Sequence, residues 1–307
     1  MGDRGMGYEG LFQRNLGIYE PGKQERIKGA RVMILGCGGI GGVVAIVLAR
    51  SGVGHFVLME PDPYEPSNMN RQVTCFTDTI GINKAVSIRD DILKINPEAK
   101  VTVYERGLKP TEIEEVIEPA DIIMPATDDW PLSLMVFRVA KRLGKPAVMA
   151  YPVGALGRVC TFLPDSPLSA EECLAMPFGL PYDELEEYME NPDARQVLQY
   201  YMTEGAWREE WFDRWAEGEF PHAQICTIVW ITACLAAMEI LKLITGKWEP
   251  VAAPYYWHVT PTTARIKKFG LFRRLISRLS RRRWIQQRLP WLARRKRLLR
   301  LFTRMIR

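Results

Sequence analysis

The stretch Arg31-Val-Met-Ile-Leu-Gly-Cys-Gly-Gly-Ile-Gly41 constrains the fold of this chain more than any other. An apolar strand runs into glycines at 36, 38, 39 and 41, and the uncharged run Val43-Val-Ala-Ile-Val-Leu-Ala49 then reads as a helix. Such a strand–turn–helix binds nucleotides. Glycine lets the backbone turn tightly and approach a phosphate, and the positive end of the helix dipole stabilises the charge placed there. Further strands near 55–60, 101–104 and 121–125 alternate with helices near 40–51, 81–95, 111–118 and 131–143. The alternation predicts an α/β fold with a doubly wound, mostly parallel Rossmann-like sheet. Val148–Leu163 reads as a further strand pair around Gly154 and Gly157.

The glycines alone do not separate a dinucleotide from ATP. Glu60 ends the second apolar strand, where an acid accepts the hydrogen bonds of a ribose hydroxyl in either case. Asp62 is a second ligand-facing acid or a turn residue. Pro66-Ser-Asn-Met-Asn-Arg-Gln72 then supplies Arg71 and amides, and Gly81-Ile-Asn-Lys84 supplies Lys84 at the start of a helix. Two cations near one nucleotide suit a triphosphate better than a dinucleotide pyrophosphate. The run Asp121-Ile-Ile-Met-Pro-Ala-Thr-Asp128 delivers a carboxylate to the carboxyl edge of the sheet, where open α/β sheets bind ligands. A carboxylate beside phosphates is a natural magnesium ligand. NAD-dependent oxidoreduction is disfavoured, because no proton-transfer residue accompanies these motifs.

In combination, Gly36-x-Gly-Gly-x-Gly41, Glu60-Pro-Asp62, Ser67-Asn-x-x-Arg-Gln72, Gly81-x-x-Lys84, Ile95-Asn-Pro97 and Ala126-Thr-Asp128 resemble the ThiF/MoeB/HesA superfamily, the ubiquitin-activating-enzyme-like adenylyltransferases. The resemblance covers residues 10–165 and the helix 225–246. It implies that Gly36, Gly38, Gly39 and Gly41 cradle ATP, that Glu60 holds the ribose with Asp62 nearby, and that Asn68, Arg71 and Gln72 lie along the phosphates. It further implies that Lys84 neutralises charge between the α- and β-phosphates and that Asp128 binds Mg2+. Arg14, in Phe12-Gln-Arg-Asn15, resembles an arm arginine that reaches the γ-phosphate of a neighbouring subunit, which implies a homodimer. The implied reaction is activation of a carboxylate, the carboxyl terminus of a small ubiquitin-like or sulfur-carrier protein or of a peptide, as an acyl-adenylate. Two other readings remain at this point. Asn68-Met-Asn-Arg-Gln72 also resembles the branch that cyclises threonylcarbamoyladenosine in tRNA, and the fold could persist as a non-catalytic scaffold, against which intact Arg71, Lys84 and Asp128 argue.

Six cysteines (37, 75, 160, 173, 226, 234) form no C-x-x-C pair and only three histidines occur, so no zinc is expected, a departure from many relatives. Asp3 and Glu9 stand where a signal peptide would be apolar, and ATP chemistry points to the cytoplasm. The 14-residue apolar run Ile225–Met238 favours a core helix over a membrane span. Of the 41 Lys and Arg, 17 lie in residues 265–307 with no Asp or Glu; the rest of the chain carries 24 positive against 36 negative charges, a net of −12.

The expected organisation is an amino-terminal arm (1–28), an ATP-binding domain (29–163), an acidic, aromatic-rich helical crossover insertion (164–222), a core helix with closing strands (223–264) and a basic amphipathic helical tail (265–307). In the insertion, Trp207, Trp211 and Trp215 share a helical stripe that packs on the body or faces substrate. Cys173 has no neighbouring His or base that would make it a thioester-forming thiolate. In the tail, Leu271, Phe272, Leu275, Ile276 and Leu279 recur at helical spacing, and after Pro290 a second apolar face includes Trp291, Leu298 and Phe302. Neither half reaches the ~20 apolar residues of a span. The tail is therefore expected to lie on an anionic membrane surface on the cytoplasmic side, with RNA or an acidic protein surface, including this chain's own body, as the alternatives.

Overall fold

A computed structural model of the chain describes residues 7–191, 211, 214, 219 and 223–282. Its strands are β1 (Arg31–Leu35), β2 (His55–Met59), β3 (Lys100–Tyr104), β4 (Ile122–Pro125), β5 (Ala147–Val153), β6 (Leu156–Phe162), β7 (Tyr255–Val259) and β8 (Ala264–Lys268). They form one sheet in the order β3-β2-β1-β4-β5-β6-β7-β8. The first five strands in this order are parallel, and β5 to β8 pair antiparallel. The strand pair expected in 148–163 is β5–β6, with Tyr151 opposite Arg158.

Along β1, Val32 and Ile34 enter one apolar core while Met33 and Leu35 enter the other. A strand covered on both faces reads as a continuous apolar run for this reason. One face is covered by α2 (Pro21–Gly29), α3 (Gly39–Arg50), α4 (Lys84–Ile95) and α9 (Cys226–Thr245). The other carries α5 (Ile113–Ile117), α6 (Trp130–Arg142), α7 (Ala170–Leu174) and α8 (Tyr182–Glu190). By length and composition α9 could cross a membrane, yet half of its most apolar stretch is buried, chiefly against α3, β5 and β6. Its Glu239, wholly buried, accepts from Val251 N–H (2.7 Å) and Trp257 Nε1 (2.8 Å) and pairs with Lys242 (2.7 Å), so the charge is fully compensated. An arm helix, α1 (Tyr8–Leu11), packs through Tyr8 against the carboxyl end of α3, its hydroxyl donating to Gly52 O (2.7 Å).

The basic carboxyl-terminal stretch departs from the sequence expectation in its first half. Residues 264–268 form β8, an integral edge of the sheet, and α10 (Leu271–Ser280) docks on α7 through its polar side. Arg273, 1% exposed, donates Nη1 to Cys173 O (2.8 Å), and Ser277 Oγ donates to Met176 O (2.5 Å). Arg274 and Arg278 both donate Nε to Glu172 Oε1 (3.0 Å each). Leu275 and Leu279, expected on an apolar contact face, are 53% and 37% exposed. The acidic body thus captures the arginines. Leaving two leucines half exposed forfeits about 1.5–2.5 kcal/mol, whereas sealing Glu172 without cations would cost about 3–5 kcal/mol. The side chains of Leu271 and Phe272, together with Trp207, Trp215 and residues 283–307, lie outside the described residues; Trp211 is exposed beneath the Arg214 guanidinium.

Candidate functional site

Strand order reverses between β1 and β4, and the crevice at their carboxyl ends is the switch point where such sheets bind ligands. Gly36 leaves β1 with φ +96°, and a Cβ there would stand 2.5 Å from Ala126 O at the end of β4. Gly41 brings the first turn of α3 onto the same loop, so closely that a Cβ would collide with Gly36 O. Gly39 packs against Val229 and the Arg71 stem, whereas a Cβ on Gly38 would meet only Gln72 Nε2, at 3.7 Å. Asn83 caps α4, accepting from the N–H groups of Ala85 and Val86, and Asp129 caps α6, accepting from Leu132 N–H; α3 has no side-chain cap. Its leading N–H groups therefore need acceptors from elsewhere, the condition of an anion site.

Around this helix end the sheet gathers most of the expected residues. Glu60, 5% exposed, accepts Cys37 N–H (2.8 Å) and Asp62 N–H (3.1 Å) and stands 3.7 Å from Lys84 Nζ. Burial raises its pKa, and Lys84 and the two N–H donors oppose that shift. Its carboxylate therefore clamps the glycine loop to β2 as well as facing the crevice. Lys84, the first residue of α4, is buried and lies 3.3 Å from Asp62, whose side chain is 66% exposed. Arg71 runs beneath the loop with Nη1 on Ser67 O (3.1 Å) and Asn70 Oδ1 (2.8 Å). Burial lowers its pKa and the field of Asp128 counters this; Asp128 follows Ala126 and Thr127, against whose backbone the Gly36 turn packs. Asn68 is buried and braces the turn by accepting Glu65 N–H (3.1 Å). Of the adjacent acids, Asp129 is committed to Leu132 N–H (2.8 Å) and Tyr182 OH (3.2 Å). Asp128 is exposed and has no hydrogen bond or ion pair among the described residues.

Two buried polar atoms here have no partner among the described residues, the acceptor Gln72 Oε1 and the donor Arg71 Nε. Buried polar groups are otherwise satisfied almost without exception, so an unpaired pair beside an uncapped helix marks a place for a ligand. Arg71 Nε and the leading N–H groups of α3 fit a nucleotide phosphate, and Gln72 Oε1, an acceptor, fits a hydroxyl or N–H donor of the same ligand. The site also fits Mg2+ held by one carboxylate together with phosphate oxygens; no cluster of three or more His, Cys, Asp or Glu that could hold a metal occurs among the described residues.

Arg14 is not brought to this site within the protomer. It is exposed, next to Asn15, which donates to Ser51 O (3.0 Å) at the far end of α3. Twelve residues of helix separate that end from the glycine loop, about 18 Å at 1.5 Å per residue. Residues not singled out by the motifs also build the site. Asn83 donates to Glu60 O (2.8 Å), and its place just before Lys84 is itself an N-cap signal. Trp230 of α9 donates Nε1 to Arg71 O (2.9 Å), a contact across 159 positions that no local pattern announces.

The ThiF family model matches residues 12–275. The chain belongs to the ThiF family. It is 34% identical over 144 residues to MoeZ of Mycobacterium tuberculosis, a probable adenylyltransferase/sulfurtransferase, covering 47% of this chain and 37% of that protein. It is also 34% identical over 142 residues to the sulfur carrier protein adenylyltransferase of Thermus thermophilus, covering 46% and 52%. The chain thus spans about half or less of these relatives' lengths. The solved structure of Escherichia coli MccB with ATP matches with a TM-score of 0.61 at 25% identity over 81% of this chain and 66% of that one.

Proposed function

We propose that this ThiF-family chain is an ATP-dependent adenylyltransferase that activates a carboxylate. The observation that carries the reading is the gathering of Arg71, Lys84 and uncommitted Asp128 around the uncapped end of α3 at the switch point. A carboxylate oxygen attacks the α-phosphorus of ATP, the bond to the bridging oxygen breaks, and pyrophosphate leaves with that electron pair. The carboxylate is already a nucleophile, so no protein base is required; positioning and charge stabilisation do the work. Lys84 and Arg71 would take up charge on the α-phosphate and the departing pyrophosphate, Glu60 would hold the ribose, and the leading N–H groups of α3 would bind phosphate. Asp128 would hold Mg2+, which neutralises charge on the phosphates.

The named residues count two cations, Arg71 and Lys84, against three carboxylates, Glu60, Asp62 and Asp128. A triphosphate therefore needs both Mg2+ and a further cation. Arg14 of a second protomer supplies that cation in this reading. An exposed apolar stripe on α9, with Trp230, Ile231 and Met238 each 40% or more exposed, supports a homodimer. The activated group in this reading is the carboxyl terminus of a small sulfur-carrier-like protein or of a peptide, in the cytoplasm, and the name of the Thermus thermophilus relative supports the sulfur carrier. The basic segment from 265 onward we read as a contact with an anionic membrane surface, supported by Leu275 and Leu279 standing exposed beside Arg274 and Arg278.

The test is exchange of labelled pyrophosphate into ATP in the presence of candidate peptides. Asp128→Ala and Lys84→Ala should each lower exchange by about 100-fold or more, Asp128→Ala with the melting curve little changed and Lys84→Ala with a lower melt at neutral pH because buried Glu60 loses its cation, and wild-type exchange in either would refute the assignment. For the membrane contact, flotation with anionic vesicles should be lost when truncation after Arg282 is combined with Leu275→Gln and Leu279→Gln, which leaves β8 and the polar contact of α10 with α7 in place. Undiminished flotation would remove it.

A further inference from the structure

A second recess lies between α6, α7 and α10, along α6 on the side away from Asp128. It encloses about 400 Å³ over an aromatic floor that includes Phe137, Phe162 and Phe178. Arg138, Lys141 and Lys145 from α6 and the turn after it, and Arg274 and Arg278 from α10, line it; Glu171 and Glu172 are the two carboxylates in its wall. Among the described residues five cations thus face two carboxylates, and both carboxylates are already committed. Glu171 takes Arg138 Nε at 2.6 Å. Glu172 takes Arg274 and Arg278 on one oxygen and Ser169 N–H (3.1 Å) on the other.

Arg274 and Arg278 are half exposed and Lys141 is exposed, so water screens part of this surplus, and an anion entering the recess meets the remaining positive field above an apolar floor. The hydrogen-bond inventory points the same way. Arg138 uses Nε on Glu171 and Nη1 on Leu180 O, but its buried Nη2 has no partner among the described residues. Lys141 donates to Ser166 O (2.8 Å) and Lys145 to Ala120 O (2.6 Å), one acceptor each for ammonium groups that carry three donors. A buried N–H left over in a well-satisfied structure marks a missing acceptor.

We propose that this recess binds a phosphate group carried on a compact apolar body, the phosphate between Lys141 and the Arg274–Arg278 pair and the apolar part on the phenylalanine floor. Guanidinium forks match phosphate oxygens in pairs, and the surplus of charge suits a dianion better than a single carboxylate. The volume lies within the about 300–1,000 Å³ of small-molecule sites. It admits a soluble organic phosphate, or the headgroup of a phospholipid whose chains stay in the bilayer beside Leu275 and Leu279.

Calorimetric titration of the full chain with phenyl phosphate and with inorganic phosphate tests the site. Phenyl phosphate should bind more tightly than inorganic phosphate. The double variant Arg274→Gln/Arg278→Gln should weaken it about tenfold or more, and so should Lys141→Gln on the opposite wall, which leaves the α7–α10 contact intact. Lys84→Ala, at the nucleotide site, should leave it unchanged. Wild-type affinity in both the double variant and Lys141→Gln, or loss of binding in Lys84→Ala, overturns the proposal. Flotation with phosphatidylcholine vesicles with and without phosphatidic acid separates the sources. Phosphatidic-acid-dependent flotation that falls in Lys141→Gln assigns the phosphate to a lipid, and unchanged flotation with lost phenyl phosphate binding assigns it to a soluble ligand.

Discussion

Replacing single glycines by alanine separates the two roles of the loop at the end of β1. Gly38 has φ −76° and ψ −145°, and a Cβ there would touch nothing nearer than Gln72 Nε2 at 3.7 Å. Alanine therefore fits the free protein, and the change in stability should stay within about 1 kcal/mol of zero, set mainly by unfolded-chain entropy. In the proposed phosphate cradle, the same methyl would stand in the way of phosphate oxygens approaching the leading N–H groups of α3. Losing one charge-assisted hydrogen bond of about 1.5–3 kcal/mol lowers ATP affinity by about 10- to 100-fold. Gly36 behaves in the opposite way, since its left-handed φ of +96° and the 2.5 Å approach to Ala126 O leave no room at the junction of two central strands. The conformational strain is about 1–2 kcal/mol and displacing backbone adds about 1–3 kcal/mol. At about 2–4 °C per kcal/mol for a chain of this size, Gly36→Ala should melt some 5 °C or more below the wild type. Scanning calorimetry and titration with a non-hydrolysable ATP analogue read both quantities. Wild-type affinity in Gly38→Ala would refute the phosphate cradle, and a wild-type melt in Gly36→Ala would refute the packing argument.

Burial raises the Glu60 carboxyl above its ordinary 4.5 while Lys84 pulls it down. A carboxyl raised on folding holds its proton more tightly in the native state, so stability falls as pH rises from the unfolded value through the native one. Lys84→Met lifts Glu60 further and should match the wild type best near pH 4.5, then lose ground toward neutrality; melts that show a pH-independent deficit would contradict this coupling. Burial pushes the thiols of Cys37, Cys160 and Cys173 up, so iodoacetamide at neutral pH should label exposed Cys234 first and those three only after unfolding, read by peptide mass spectrometry. Early labelling of Cys173 would revive it as an acyl acceptor. Glu172→Ala removes the box that caps α7 and both arginine contacts, of which the half-exposed pairs count for little. The expected loss is about 2 kcal/mol in urea unfolding, with faster amide exchange in α10; unchanged exchange there would show that the clasp does not hold the helix.

Much of the fold was legible in the sequence because its signals are local. Strands covered on both faces appear as apolar runs, the glycine loop announces its own geometry, and Asn83 and Asp129 stand where helix caps belong. Arg71, Lys84 and Asp128 could be named from their spacing along the chain, although each comes from a different segment. What lay beyond the sequence depends on contacts between distant segments. Glu60 closes on the glycine loop, Trp230 reaches Arg71 from α9, and Arg14 stands at the far end of α3 from the crevice in its own protomer. By periodicity the α10 arginines are expected on an anionic membrane surface, with RNA or an acidic protein surface, this chain's own body included, as the alternatives. Only the tertiary structure decided in favour of Glu172, because the stabilisation of a charge depends on what lies within a few ångströms of it, and that distance is set by the packing of α7 on α10 rather than by order along the chain.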